Sequence, residues 1–260
     1  MQIFKVDAFT DSLFTGNPAA VLPVDEWLSA ETMQLIAMEN NLSETAFILN
    51  NGDGLFDIRW FTPETEVDLC GHASLAAAHV IMTHINKNEN TVIFNSKSGE
   101  LRVEKSGSTY WLDFPSQPPK PVSMPKLLPE AIGTIPIYAG FNVDLMVLVE
   151  NEQIIQNMTP NFDMIRNLDV RGVIVTAASA SESVDFVSRY FAPAVGVPED
   201  PVTGSAHTVL TPFWSKKLGK KRLEARQISK RGGSLACINE GNRVKIGGSA
   251  VTFLTGTIHA

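Results

Sequence analysis

The chain has 260 residues, of which 44% are hydrophobic and 19% are charged, and its net charge is -7 at pH 7. This composition is typical of a soluble globular protein with one large or two small domains. The negative charge argues against a nucleic-acid partner, and the longest apolar runs are too short to span a bilayer, so no membrane role is expected. Two cysteines and an N-terminus without a signal pattern predict a protein of the reducing cytoplasm.

The first half of the chain predicts several short strands and one surface helix. Ser29 is the predicted N-cap of that helix, which extends to about Asn40. Alternating or continuous apolar residues predict the strands at residues 1–9, 19–22, 46–49, 56–61, 91–94, 101–103 and 110–114.

A second helix is predicted over residues 71–82, directly after the turn that Gly71 permits. This segment is apolar on nearly every side, which is typical of a helix that is buried all round. The first turn of a helix has unpaired N–H groups and the positive end of a dipole, so it can bind a carboxylate or enolate oxygen. We call residues 70–74 the first mouth, and we expect Gly71 and Ala73 to contact a substrate there.

A proline-rich segment over residues 115–129 is the predicted linker between two domains. The predicted domains are residues 1–117 and 118–260, and the last strand is a candidate to cross back to the N-terminal half. The second half predicts strands over residues 135–138, 145–149 and 172–177 and a short helix over 161–168.

The two halves repeat three landmarks in the same order, about 130 residues apart. Residues 59–63 resemble 189–193, residues 71–73 match 204–206, and residues 98–101 match 232–235. A repeat of this length indicates duplicated domains rather than a solenoid. Pro212 lies where the second helix would continue, which predicts a kink or a new segment at that point.

The repeat predicts an α+β protein of two similar halves. Each half is expected to be a mostly antiparallel curled sheet, or barrel, wrapped around one central apolar helix. We call residues 200–206 the second mouth. The sequence predicts that the two mouths face each other across a cleft and hold one small acidic molecule.

Glu44 is the strongest candidate for a catalytic base. It comes directly before the predicted strand at 46–49, where its carboxylate would be partly desolvated and able to exchange a proton. The alternative is a solvated glutamate at the end of a strand, and position alone favours that alternative.

His72 and Cys70 are the reactive side chains of the first mouth. His72 is a candidate proton donor or substrate contact, with a capping role as the alternative. Cys70 is a candidate thiol base, as an amino-acid racemase would need, but the second mouth offers no matching cysteine and Cys237 lies in an apolar strand. No metal site is expected, because His72 and His79 would be about 10 Å apart along one helix.

The second mouth supplies another set of polar candidates. Asp200 could orient His72 or hold a substrate amine, and Ser205 could donate to a carboxylate. The backbone of Gly204, and that of the later pair Gly232–Gly233, could offer N–H groups to an anion. Ordinary turn chemistry is the alternative for all of them. The sequence around Ser205 does not match Gly-x-Ser-x-Gly, the motif of a serine-hydrolase nucleophile. The chain contains no Walker or dinucleotide-binding motif.

Seven motifs together give the chain a resemblance to a known family. They lie at residues 7–9, 16–21, 42–47, 59–63, 68–73, 199–206 and 231–233. The chain resembles the PhzF (phenazine biosynthesis-like) family, which has the diaminopimelate-epimerase-like fold, and the match spans essentially the whole chain.

The resemblance implies a cofactor-independent isomerase in which a glutamate moves a proton on a small carboxylic acid. That glutamate falls on Glu44, and the other active-site positions fall on His72, Asp200 and Ser205. A homodimer is also implied. Two alternatives stay open: a racemase or epimerase that uses Cys70, and a non-catalytic protein that binds small acids.

Overall fold

The computed structural model describes all 260 residues and divides them into two compact units. The first unit contains residues 1–113 and 247–260, and the second contains residues 114–246. The prolines of the predicted linker therefore belong to the start of the second unit. No helix combines the length and the apolar character that a membrane span requires.

The first unit contains two α-helices, α1 (Ala30–Asn40) and α2 (Gly71–Val80), and a π-helix at Ile81–Ile85 that continues α2. Ser29 caps α1 as predicted, because its side chain accepts from the Thr32 N–H at 3.0 Å. The strands are β1 (Gln2–Ala8), β2 (Asn17–Val24), β3 (Glu44–Asn50), β4 (Leu55–Phe61), β5 (Glu66–Val67), β6 (Thr91–Ser96), β7 (Gly99–Ser106), β8 (Thr109–Pro115) and β18 (Ala250–Thr257).

The sheet of the first unit is mostly antiparallel, with two parallel steps. β1 pairs with both β2 and β18, so the last strand of the chain lies beside the first. β2 and β3 are parallel, β3 and β4 antiparallel, β4 and β6 parallel, and β6, β7 and β8 antiparallel.

α2 lies inside this curled sheet, in contact with β1, β2, β3, β7 and β18. Residues 72–80 are all buried, which explains why the sequence of this helix has no polar face. Four alanines in the helix let the strands approach it closely. The predicted buried helix is therefore present, and it fixes the position of the first mouth.

The second unit contains α3 (Leu128–Ile132), α4 (Glu152–Asn157), α5 (Phe162–Arg166) and α6 (Gly204–Leu218). Its strands are β9 (Lys120–Pro121), β10 (Tyr138–Phe141), β11 (Leu145–Leu148), β12 (Val173–Ala178), β13 (Phe186–Ala192), β14 (Val197–Asp200), β15 (Arg222–Gln227), β16 (Gly233–Asn239) and β17 (Arg243–Gly248). The prediction of a strand over residues 135–138 is wrong, since β10 begins only at Tyr138. Pro136 has no N–H to donate to a neighbouring strand.

The order of pairing in the second unit repeats that of the first. β11 and β12 are parallel, β12 and β13 antiparallel, β13 and β15 parallel, and β15 and β16 antiparallel. Along the chain, the apolar helix α6 follows β14 and precedes β15, just as α2 follows β5 and precedes β6. The duplicated landmarks in the sequence therefore correspond to a duplicated topology.

Two equivalent ion pairs, one in each unit, show the duplication at the level of single residues. Arg59 donates to both carboxylate oxygens of Glu66 at 2.8 and 2.9 Å, and Arg189 does the same to Glu199 at 2.7 and 2.9 Å. The Arg59 guanidinium holds the pKa of Glu66 at about 2. Each guanidinium also lies over the aromatic ring two residues later, Phe61 and Phe191.

Pro212 lies inside α6, which continues from Gly204 to Leu218 without starting a new segment. A proline in a helix leaves the carbonyl of the residue four positions earlier without its usual donor. Here that carbonyl belongs to Thr208, and it accepts from the Gln117 N–H at 3.0 Å. This outside donor replaces the missing hydrogen bond, which explains how the helix tolerates the proline.

Candidate active site

The first mouth brings two of the predicted catalytic side chains together. Glu44 is the first residue of β3, and His72 is the second residue of α2. His72 Nε2 lies 3.1 Å from Glu44 Oε2, although 28 positions separate the residues in the chain. Both side chains are largely buried, with side-chain exposures of 6% for His72 and 17% for Glu44. The carboxylate and the imidazole therefore form one buried pair at the end of α2.

Asn17 is the third member of this arrangement. It is fully buried at the start of β2, and its Nδ2 lies 3.2 Å from His72 Nδ1. The ring of His72 thus has an amide within hydrogen-bond distance of Nδ1 on one edge and a carboxylate facing Nε2 on the other.

The imidazole of His72 is neutral at pH 7. Burial lowers its pKa to about 3, because an imidazolium ion loses its hydration in the protein interior. A neutral imidazole has one N–H donor and one lone pair, so each nitrogen has a distinct role.

Neither mouth has a side-chain cap at its helix N-terminus. Cys70 is the N-cap of α2 and Thr203 is the N-cap of α6, and neither side chain bonds to the first-turn N–H groups. In contrast, the N-cap side chains of α1, α4 and α5 accept from their helices; they are Ser29, Asn151 and Asn161. The two apolar helices therefore present their first-turn N–H groups, including those of Gly71 and Ala73, without side-chain capping.

Cys70 lies beside the same ring, with Sγ 3.5 Å from His72 Nδ1. The ligating atoms of Glu44, Cys70 and His72 are all within 4.8 Å of one another, which is a spacing that metal sites also show. However, Glu44 contacts Nε2 while Cys70 contacts Nδ1, on opposite edges of the imidazole. The absence of a metal site stays a prediction, because one ligand atom of each of the three residues still lies within 4.8 Å of the other two. His79 points elsewhere and contacts Tyr110 and Thr252.

At the second mouth, Asp200 is held by an internal network. The Thr203 hydroxyl donates to Asp200 Oδ2 at 2.5 Å. The buried Gln227 side chain accepts from the Thr203 N–H at 2.9 Å and donates to the Asp200 carbonyl at 2.7 Å. The carboxylate and the start of α6 are therefore fixed by one amide from β15.

The remaining predicted contacts at the second mouth have different environments. Ser205 is exposed in the first turn of α6, whereas Gly204 is buried. Gly232 has a left-handed backbone with φ 68°, and its N–H donates to Ser229 Oγ at 3.0 Å. That N–H is engaged within its own turn, and Gly233 begins β16. Ser229 in turn donates to the Pro201 carbonyl at 2.7 Å, which ties this turn to the second mouth.

The sequence analysis did not identify Asn17 or Gln227 as residues of the two mouths. The segment Gly16–Asn17–Pro18 carries a strong turn signal, which conceals any further role of the asparagine. Gln227 lies in an ordinary strand pattern 27 positions after Asp200. The only available signal is chemical, since a buried amide needs hydrogen-bond partners.

The comparisons with known proteins cover the whole chain. Residues 6–256 match the family model described as phenazine biosynthesis-like protein. An uncharacterized isomerase of Pseudomonas aeruginosa is 49% identical over 259 residues, which is 100% of this chain and 99% of that protein. Two further relatives with the same description are each 48% identical.

Solved structures agree with the sequence matches. A PhzF-family protein of Enterococcus faecalis has a TM-score of 0.96 and 45% identity, and the match covers 100% of this chain and 99% of the other. A predicted epimerase from Pseudomonas aeruginosa has a TM-score of 0.74 and 18% identity, and the match covers 100% of this chain and 99% of the other. At this low identity the likeness bears on the fold alone. These matches confirm the predicted family resemblance, the α+β epimerase-like fold and the expectation of an isomerase.

Proposed function

Because the chain belongs to the phenazine biosynthesis-like family, whose relatives identify it as an isomerase, we propose that it moves a proton on a small carboxylic acid, with Glu44 as the proton shuttle. One observation carries this proposal. A buried carboxylate and a neutral histidine are in contact, 3.1 Å apart, at an apolar helix N-terminus without a side-chain cap.

The proposed reaction has two proton transfers. The Glu44 carboxylate takes a proton from the carbon next to the substrate carboxylate, and the electron pair of the broken C–H bond moves into an enolate. The resulting glutamic acid then returns the proton to another carbon, or to the other face of the same carbon. One proton leaves the substrate in the first step and one is added in the second, so no oxidant or reductant is consumed. Between the two steps the proton on the Glu44 carboxylic acid would exchange with solvent, so D₂O can label the product.

The first mouth supplies stabilisation where charge develops. Backbone N–H groups of Gly71 and Ala73 at the N-terminus of α2 would donate to the substrate carboxylate, on which the enolate charge accumulates. His72 would face Glu44 with Nε2 and influence the charge of that carboxylate through their 3.1 Å separation. A side-chain cap at α2 would compete for the same N–H groups.

The roles of the second mouth stay predictions from the sequence repeat and the family resemblance. Asp200 is the predicted third catalytic residue, and Gly204, Ser205, Gly232 and Gly233 are predicted substrate contacts. The homodimer, the cytoplasmic location and the independence from cofactors likewise stay proposals.

The test is hydrogen exchange into small acids. The purified enzyme is incubated in D₂O and EDTA with a panel of 2-amino acids and unsaturated carboxylic acids, and deuterium on carbon is followed by NMR. We expect exchange in the wild type and a loss of at least about 10²-fold in Glu44→Gln, which keeps the shape of the side chain but cannot accept the proton.

The matched control is Glu39→Gln, the same substitution at an exposed position of α1. It should exchange at the wild-type rate. Equal exchange in the wild type and Glu44→Gln would contradict the assignment of the base. Binding of an acid without exchange in any variant would instead support the non-catalytic alternative.

A further inference from the structure

We infer that Asn17 is a positioning residue that holds His72 in the tautomer with its proton on Nε2, where the N–H faces the Glu44 carboxylate. The inference rests on the proposed function of Glu44, but its geometric part stands on the contacts of the histidine alone. It concerns a side chain that contacts His72, not a group that exchanges a proton with the substrate.

The amide and the ring nitrogen define the direction of the hydrogen bond. Asn17 Nδ2 carries two hydrogens and no lone pair that can accept, so His72 Nδ1 must be the acceptor across the 3.2 Å contact. The single proton of the ring then lies on Nε2. This nitrogen is 3.1 Å from Glu44 Oε2, close enough for electrostatic attraction between the N–H and the carboxylate, although the two atoms are not aligned for a hydrogen bond.

The other tautomer would be unfavourable at both edges of the ring. It would place the Nδ1–H against the amide hydrogens of Asn17 and the Nε2 lone pair against the negative carboxylate of Glu44. Both contacts are buried, where such repulsion is poorly screened by water. The amide therefore selects the tautomer that presents a donor to the base.

The backbone around Asn17 fixes the position of its side chain. Asn17 pairs with Ala8 at the end of β1, and Pro18 follows it. Gly16 enters β2 with φ 70°, and a Cβ at that position would lie 2.3 Å from the Ala8 carbonyl oxygen. The Gly16–Asn17–Pro18 segment thus places the buried amide of Asn17 beside His72 of the first mouth.

His207 provides an internal reference of the opposite kind. It is fully buried in α6, and burial lowers its pKa to about 4. Its Nδ1 lies 2.8 Å from the Thr203 carbonyl oxygen, which can only accept. His207 must therefore carry its proton on Nδ1, so two buried neutral histidines of one chain are expected to have opposite tautomers.

The first experiment reads the tautomers directly in the wild-type protein. In ¹⁵N-labelled protein at neutral pH, the ¹⁵N shift distinguishes a ring nitrogen with a proton from one with a lone pair. The missing signals in His72→Gln and His207→Gln assign the two rings. We expect Nε2–H for His72 and Nδ1–H for His207. A proton on Nδ1 of His72 would overturn the inference.

The second experiment changes the direction of the hydrogen bond. In Asn17→Asp the introduced carboxylate accepts from Nδ1, so Nδ1 of His72 should gain a proton, either as the Nδ1–H tautomer or as an imidazolium between two carboxylates, while His207 stays unchanged. Hydrogen exchange into the acid that the wild type processes should fall about tenfold or more, because the second carboxylate changes the protonation of the ring that faces Glu44. Asn88→Asp adds the same charge at an exposed position and should change neither readout.

The outcomes separate this inference from the proposed function. If Asn17→Asp is folded and Nδ1 of His72 keeps its lone pair, Asn17 does not set the tautomer. If Asn17→Asp does not fold, Asn17→Ser is used; a hydroxyl both donates and accepts, so a mixture of tautomers is expected, and a pure Nε2–H form contradicts the inference. If the tautomers are as expected but Glu44→Gln exchanges like the wild type, the function of Glu44 fails and the assignment of Asn17 stands.

Discussion

At the scale of single residues, the chemistry of the first mouth is centred on the two edges of the His72 ring. Glu44 contacts Nε2, while Asn17 and Cys70 lie beside Nδ1. The Asn17 amide is a normal donor to Nδ1, whereas a thiol at 3.5 Å is a weak one. This division of the ring assigns the proton chemistry to the carboxylate side.

Replacement of Cys70 should therefore leave catalysis intact. We expect Cys70→Ala to exchange deuterium into the processed acid within a few-fold of the wild type, because Glu44, His72 and Asn17 keep their contacts. NMR detection of deuterium on carbon measures the rate. A loss as large as that in Glu44→Gln, in a variant that remains folded, would favour the thiol-based epimerase.

Thiol alkylation gives an independent measurement, because the second cysteine is a built-in control. Cys237 is fully buried in β16, and burial raises its pKa to about 12, so it forms almost no reactive thiolate. Modification by iodoacetamide therefore reports on Cys70. Substrate-protected inactivation that is absent in Cys70→Ala would contradict our assignment.

The sequence identified Glu44 and His72 as separate candidates but could not predict their contact. Glu44 was recognised by its place before a strand, and His72 by its place at a helix start. Asn17 could not be recognised in this way, since its partner lies 55 positions away and its local pattern indicates only a turn. Local patterns report backbone preference, whereas hydrogen bonds between distant segments depend on the tertiary fold.

At the scale of elements, each mouth depends on a buried amide from a neighbouring strand. Asn17 of β2 serves the first mouth, and Gln227 of β15 serves the second. Gln227 bonds to the Thr203 N–H, the Thr203 hydroxyl and the Asp200 carbonyl. Since Thr203 also donates to the Asp200 carboxylate, the amide fixes both the helix start and the predicted catalytic aspartate.

Removal of this amide should destabilise the protein. We expect Gln227→Ala to lower the free energy of unfolding by about 2–4 kcal/mol, because it leaves a buried N–H and a buried carbonyl without partners. Urea unfolding measures the change. Arg226→Ala, at an exposed position of the same strand, should stay within about 0.5 kcal/mol of the wild type. A similarly small effect in Gln227→Ala would show that the turn holds without the amide.

Pro212 shows why the form of a helix was harder to predict than its existence. The apolar run after Gly204 predicts α6, and the proline predicts an interruption. No new segment starts there, and Gln117, almost a hundred positions earlier, donates to the released Thr208 carbonyl. The sequence pattern shows that the proline removes a helical hydrogen bond, but it does not show that a distant N–H replaces that bond.

At the scale of the whole molecule, duplication is the property that the sequence predicts best. Three landmarks in a fixed order were enough to predict two similar curled sheets with buried helices, because the landmarks are the residues that start or brace the same elements. Residues 247–260 were harder to place. None of the eight residues of β18 is buried, so its hydrophobic pattern does not specify that it pairs with β1.

Buried histidines in both units should make the folded chain sensitive to acid. Burial lowers the pKa of His72 to about 3 and the pKa values of His79 and His207 to about 4, against an ordinary value of 6.5. The unfolded chain binds protons at these rings below pH 6.5, while the folded chain does not until about pH 4. The free energy of unfolding should therefore fall as the pH decreases through this window.

His79→Gln tests this linkage, because His79 lies outside the first mouth, between Tyr110 and Thr252. Each histidine that is neutral only in the folded state contributes up to about 1.4 kcal/mol per pH unit to the slope. Urea unfolding between about pH 7 and pH 5 should thus give a shallower decline in His79→Gln than in the wild type, by about that amount, whatever the stability of the variant at pH 7. His259→Gln, at an exposed position, should keep the wild-type slope. An unchanged slope in His79→Gln would show that the folded chain can protonate this ring without loss of stability.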